Sequence, residues 1–189
     1  MYRDGRPPWD IGRPQPAVVA LEEAGEIVGR VIDVGCGTGE NSLYLSGRGH
    51  FVRGVDSAPT AIARAQEKAR SRGLRVEFGA ADALALEPPT PLFDVALDCG
   101  LFHTLSDDER PRYVTSVARV VRPGGRMFVL CFSEHEPNWG GPRRVTQAEI
   151  RVAFARGWKV RTVREARFAS NMDGVEGRAW LAAMDRTDA

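Results

Sequence analysis

The sequence predicts an α/β fold: a doubly wound, mainly parallel, seven-stranded sheet with an antiparallel strand near one edge. Three observations carry that prediction. Short apolar runs of strand length alternate with longer segments of helical period, the pattern of βαβ units. The first apolar run leads straight into a glycine-rich turn, "VIDVGCGTGE", which opens a helical segment. Near the C-terminus, a turn-rich link joins two strand-like runs. It is shorter than the crossover of about a dozen residues that parallel strands need.

In chain order, strands are expected over Arg30–Val34, Phe51–Asp56, Arg75–Ala80, Phe93–Cys99 and Gly125–Phe132. The helices between them fall at Gly39–Arg48, Pro59–Arg72 and Asp107–Val121. Gly73 follows the basic last turn "KARSRG", where a residue free to take positive φ closes a helix. Ser106 and Glu109 have capping-box spacing, in which each side chain satisfies the other's backbone N–H. "RPGG", Arg122 to Gly125, is a helix stop before the next strand. Thr146 and Glu149 form a second capping box and open a helix to about Arg156. The closing strands are Trp158–Phe168 and Arg178–Asp185.

The chain has 189 residues, enough for one domain with a substantial core. Residues 1–20 are expected as an N-terminal lid and 30–132 as the ligand-binding core. Residues 133–189 supply a loop, a helix and a β-hairpin on the substrate side. Hydrophobic residues make up 43%, charged residues 27%, and the net charge is +1. So even a balance draws the chain neither to nucleic acid nor to an anionic membrane. No apolar run reaches the roughly 20 residues of a membrane span, and the polar, proline-rich start lacks a leader's apolar region. Cys36, Cys99 and Cys131 form no pairing framework, so a reduced, cytoplasmic setting is expected.

Gly35, Gly37 and Gly39 alternate after the first strand, where an open α/β sheet binds its ligand. The dinucleotide fingerprint G-x-G-x-x-G needs a glycine where this chain has Glu40. A pyrophosphate would also be repelled by Asp33 and Glu40. Carboxylates around the turn fit a ligand with a cationic end, such as a nucleoside carrying an amino acid and a sulfonium.

From Val31 to Phe132 the chain resembles the class I S-adenosylmethionine-dependent methyltransferases, with their Rossmann-like sheet. "VIDVGCGTGE" is similar to the family's first motif, and "VRGVDSAPTAI" ends its strand in Asp56, about 20 residues on, where an acid takes the ribose hydroxyls. "FGAADALAL" carries Asp82, which by resemblance bonds the adenine amino group, with the backbone of Ala83 beside it. "FDVALDCGLFHTL" would lie along the methionine moiety. Cys36, Ser57 and Cys99 complete the cofactor set that the resemblance implies. The opening "PPWDIGRPQP" is similar to a bacterial branch related to thiopurine methyltransferases, which includes heterocyclic-toxin methyltransferases. That likeness implies detoxification of a small, planar aromatic by O-, N- or S-methylation.

Methyl transfer asks a protein chiefly to position its acceptor, with a general base where the acceptor carries a proton. His103, at the carboxyl end of the fourth strand, and Asp10 are the candidate bases. Trp9 would stack on the acceptor or cover the cofactor, and Arg13 would reach the cofactor carboxylate. Phe102, Phe132, His135 and Trp139 are the candidate acceptor walls, while Arg143 and Arg144 read as surface. No cluster has metal-ligand spacing. Two other classes share the cofactor pattern: a methyltransferase acting on nucleic acid or protein, and a binding module without catalysis. Against the first, this chain has no Asn-Pro-Pro-aromatic motif after the fourth strand to hold a flipped base, and little beyond the core to recognise a protein. The intact acids and glycines argue against the second. Oligomeric state is left open.

Overall fold

The structure, a computed structural model, describes residues 9–171 and 175–187. Among its inner strands is β1 (Arg30–Val34), whose Val31, Ile32 and Val34 are all buried. A strand apolar on both faces has to be covered on both, as in a parallel sheet with helices on each side. β1 pairs in parallel with β2 (Phe51–Asp56) on one flank and β4 (Phe93–Cys99) on the other. Beyond β2 lies β3 (Val76–Ala80), and beyond β4 lies β5 (Val121–Phe132). β7 (Glu176–Arg186) is antiparallel to both β5 and the edge strand β6 (Trp158–Ala169). The order of the seven strands is β3-β2-β1-β4-β5-β7-β6, and the antiparallel strand lies one place from the edge, as predicted. Chain direction switches sides between β1 and β4, which opens a crevice above their carboxyl ends.

Five helices cover the described sheet: α1 (Pro16–Glu23), α2 (Glu40–Gly47), α3 (Pro59–Arg72), α4 (Glu109–Val120) and α5 (Gln147–Ala153). On one face Ile32, Phe93 and Met127 pack with Tyr113 and Val117 of α4 and Ile150 of α5. On the other, Val31, Leu97 and Phe128 pack with Val18 and Leu21 of α1 and Leu45 of α2. The sequence predicts no helix at α1, because the prolines before it mask the signal. Pro16 in fact sits at the start of the helix, where its missing N–H costs nothing.

The predicted limits hold at most ends. Both capping boxes form: Ser106 and Glu109 exchange bonds of 2.8 and 3.3 Å, and Thr146 and Glu149 of 2.7 and 3.1 Å. "RPGG" behaves differently from the expectation. β5 begins at Val121, directly after α4, and the segment bulges from the ladder as pairing shifts from Phe93–Val121 to Val95–Arg126. Gly125 is required there, since a Cβ would stand 2.8 Å from the Arg122 carbonyl. α5 stops at Ala153, short of Arg156, and Phe154 turns fully into the core. Among the described residues, no helix is long and apolar enough to cross a membrane.

Candidate functional site

The glycine turn follows β1. Gly35, Gly37 and Gly39 all have positive φ, of 75°, 55° and 84°. That region is open to glycine at little cost. Room for a ligand is only part of the reason for them. A Cβ on Gly35 would stand 2.9 Å from Leu101 Cβ, and one on Gly39 2.6 Å from the Phe78 ring. Two of the three glycines therefore answer also to the protein's own packing. The N–H groups of Gly35 and Cys36 both donate to the Val55 carbonyl, at 2.8 and 2.9 Å, which docks the turn on β2.

Around the turn stand the predicted carboxylates. Asp56 Oδ2 accepts from the Gly37 N–H at 2.9 Å, and Oδ1 accepts from the Ala58 N–H at 2.8 Å. A carboxylate offers about four lone-pair directions, so this one keeps acceptor capacity for a vicinal diol. Ser57 beside it is exposed. Asp82 accepts from the Leu84 N–H at 2.8 Å, which caps a single 3-10 turn at Ala83–Ala85 and holds an exposed carboxylate beyond β3.

Asp33 is 1% exposed. Its Oδ2 accepts from Ser42 Oγ at 2.6 Å, while Oδ1 is buried without a hydrogen-bond partner. Burial, reinforced by the nearby charges of Asp98 and Asp56, pushes its carboxyl up to about 7. Asp98, also buried, accepts from the N–H groups of Leu101 and Phe102 and from Tyr113 Oη at 2.6 Å. Burial raises it to about 6. An orphaned carboxylate oxygen in a dry site is expensive, and a cationic ligand group placed there removes the cost. These acceptors fit the ammonium of the amino-acid end of S-adenosylmethionine. Burial raises the thiols of Cys36 and Cys99, so both are neutral, inert groups.

The N-terminal segment reaches across this crevice. Thr38 Oγ1 donates to Asp10 Oδ2 at 3.0 Å, and Lys68 Nζ donates to the same Thr38 oxygen at 2.7 Å. Farther along, the Gln15 side chain pairs with both backbone groups of Ala169, and the Gln15 N–H donates to Asn41. Trp9 is 46% exposed and Arg13 is exposed. The first eight residues of the expected lid lie outside the described residues. Asn41 and Ala169 carry no site signal in the sequence. Neither side chain has a motif, and only the fold brings them to Gln15.

His103 lies at the carboxyl ends of β4 and β5, but its bonding does not suit a base. The Phe132 N–H donates to His103 Nδ1 at 2.9 Å, and the two rings stack at 4.7 Å and 11°. Burial, aided by the positive Arg144 and Arg110, holds the imidazole down to about 4. A neutral ring that accepts at Nδ1 carries its proton on Nε2 and is a donor. Phe168, which the sequence reading passes over, closes the cluster at 5.7 Å from His103 and 5.1 Å from Phe132.

The proposed walls divide. Trp139 is 59% exposed and meets Phe132 edge-on at 5.8 Å. Arg144 is not plain surface. Its guanidinium lies 4.7 Å over Trp139 and 5.5 Å over Phe132, and it donates to the carbonyls of Pro137, Gly140 and Pro142. Phe102 is a correction: it is wholly buried between Tyr113 and Phe154 and cannot touch an acceptor. The 3-10 turn at Phe102–Thr104 sends its side chain beneath the sheet. His135 is exposed and lines a polar cleft of about 250 Å³ with Ser133, Glu165, Arg167 and Arg178, apart from the aromatic cluster.

Strand order, glycine turn and the acids that ring it define a class of enzyme, the class I S-adenosylmethionine-dependent methyltransferases. Residues 31–125 match the methyltransferase domain family, and the chain belongs to it. It is 38% identical over 174 residues to 2-heptyl-1-hydroxyquinolin-4(1H)-one methyltransferase of Mycobacteroides abscessus, covering 90% of this chain and 77% of that protein. Identity to probable thiol methyltransferase 2 of Arabidopsis thaliana is 30%, over 78% of this chain and 66% of that one. Among solved structures, one described by the conversion of a disulfide bond into a thioacetal group during echinomycin biosynthesis superposes with a TM-score of 0.88. It has 38% identity and covers 96% of this chain and 86% of its own.

Proposed function

We propose that the protein moves the methyl group of S-adenosylmethionine to an O, N or S atom of a small, flat heterocyclic acceptor, as in detoxification. The observation that carries this reading is the aromatic wall of His103, Phe132, Phe168 and Trp139 beside the switch point. Apolar faces with a few fixed polar groups are what a planar ring needs. Relatives named for a hydroxyquinolinone and for a thiol support a small-molecule acceptor.

When bound, the cofactor supplies a methyl group already activated by positive sulfur. Asp56, with Ser57 beside it, takes the ribose, and Asp82 with the Ala83 backbone takes the adenine. Asp33, the glycine turn, Cys36 and Cys99 line the amino-acid end. The segment from Trp9 to Gln15 lies over the crevice and sheds water from it, with Asp10 as a latch on the turn and Arg13 toward the cofactor carboxylate. Trp139 offers the acceptor an apolar face. Asp10 is bonded to the glycine turn, so its part is in closure. The domain works as one unit over residues 1–189, and its cysteines, free where described, suit the cytoplasm.

Isotope-labelled S-adenosylmethionine with a panel of hydroxy-, amino- and thio-heterocycles tests the reading, with S-adenosylhomocysteine binding measured in parallel. Label on a heterocycle is the expected result. Cofactor binding without label on any of them would discard the acceptor class.

A further inference from the structure

Resting on that reading, we propose that His103 donates a hydrogen bond from Nε2–H to the acceptor atom, and that the enzyme takes its acceptor as the conjugate base. The substrate class is then acidic hydroxyls and thiols on flat rings, and neutral N–H acceptors are excluded.

Geometry carries the first half. The lone pair of Nδ1 is occupied by the Phe132 N–H, and Phe132 stacks on the ring, so both tautomer and orientation are fixed. To act as a base, the ring would have to move its proton to Nδ1. That would set two N–H groups against each other inside a buried site, at the cost of an unsatisfied donor. Nε2 makes no hydrogen bond within the described residues. It lies beside Gly100, 3.7 Å from where a Cβ on that glycine would stand, at the carboxyl end of β4. A donor at the crevice rewards an acceptor atom that has lost its proton.

Charge carries the second half. Arg144 and Arg110 are the cations that act on His103. Arg110 is 5% exposed and pairs with Glu149 through Nη1, whereas Arg144 bonds to backbone carbonyls and holds its charge over Phe132 and Trp139 in the aromatic wall. On β1, Asp33 keeps Oδ1 open and in this reading faces the cationic end of the cofactor, while the carboxylates that follow are already engaged. Asp98 serves Tyr113, Leu101 and Phe102, and Glu149 serves Arg110 and Arg143. Glu136 takes Trp139 and the Arg178 backbone, and Glu134 takes Trp180. The acceptor's proton therefore leaves to solvent before transfer. Its freed lone pair then forms the bond to the methyl carbon as the carbon–sulfur bond breaks, and that electron pair stays on sulfur.

Two variants separate donor from base. His103→Asn keeps an acceptor for the Phe132 N–H and a donor toward the crevice, whereas His103→Phe keeps neither. Each is measured with ring-substituted hydroxyquinolinones and thiophenols of graded acidity, and S-adenosylhomocysteine affinity reports that the variant is folded. In the native enzyme, the rising limb of kcat/KM against pH should move with the acceptor's own pKa. His103→Asn should retain activity within about tenfold, and His103→Phe should lose about 10- to 100-fold. Absorbance titration of bound acceptor, in the presence of S-adenosylhomocysteine, should show a lowered acceptor pKa in the native protein and in His103→Asn but not in His103→Phe. A limb at one pH for every acceptor, together with an inactive, folded His103→Asn, would overturn the donor assignment and leave the acceptor class standing. If no compound in the series is bound or methylated while S-adenosylhomocysteine binds, the acceptor class falls and takes this inference with it.

Discussion

Gln15 and Ala169, 154 positions apart in sequence, bond to each other twice: Gln15 Nε2 donates to the Ala169 carbonyl at 3.0 Å, and the Ala169 N–H donates to Gln15 Oε1 at 2.9 Å. A side-chain amide thus continues the backbone pairing where β6 ends. With Asp10 held by Thr38, the N-terminal segment is fastened at both sides of the crevice.

Gln15→Ala would leave two buried backbone groups of Ala169 unpaired, each costing about 1–3 kcal/mol. The expected outcome is a lower melting temperature together with weaker S-adenosylmethionine binding by calorimetry. A loss of stability with cofactor affinity unchanged would show that the clasp serves only the fold.

Asp33 is expected to couple cofactor binding to pH. Its carboxyl stands at about 7 in the folded protein against an ordinary 3.8, so the native state holds more protons than the unfolded one between those values. Stability therefore falls as pH rises from about 4 to about 7 and is level beyond. Asp33→Asn removes that penalty. At pH 8 the ligand-free variant should melt above the native protein and yet bind S-adenosylmethionine more weakly. For the native protein, affinity should rise from pH 6 to 8, with the release of up to about one proton in buffers of differing ionisation enthalpy. A pH-independent affinity would refute the coupling.

Asp56 is held open by two backbone amides, so Asp56→Ala removes a preorganised acceptor without breaching the core. Charge-assisted bonds to a diol are worth about 1.5–3 kcal/mol, or roughly 10- to 100-fold in affinity. S-adenosylhomocysteine and adenosine should weaken alike, while methionine competition should not change. Equal weakening of methionine would place Asp56 elsewhere in the site.

The fold was legible because its signals are local. Glycines at 35, 37 and 39 and acids at strand ends fix the crevice, and capping boxes at Ser106 and Thr146 mark helix starts. What escaped the sequence depends on distance. Nothing local to Gln15 points to Ala169, and nothing in "LFHTL" says that the Phe132 N–H fills His103 Nδ1. A histidine's role rests on which nitrogen is occupied, and a partner 29 positions away decides that here. Phe102 and His103 show the same limit from the other side. Adjacent in sequence and both aromatic, they part within one 3-10 turn: Phe102 packs against Tyr113 and Phe154, and His103 against Phe132 and Phe168.

That division can be tested directly. Phe102 is 0% exposed, while Trp139, another of the aromatics read as walls, is 59% exposed. Phe102→Ala empties a site packed by Tyr113, Phe154 and the Arg110 guanidinium, and should cost about 3–5 kcal/mol of stability. Its preference among acceptors should stay unchanged, because the ring faces none of them. Trp139→Ala should move stability by less than about 1 kcal/mol, as is usual for an exposed site. It should raise the acceptor KM several-fold, with kcat changed less. Chemical denaturation gives the first quantity and steady-state kinetics on two acceptors gives the second. If Phe102→Ala altered acceptor preference at constant stability, the aromatic core beneath the sheet would have to open onto the site.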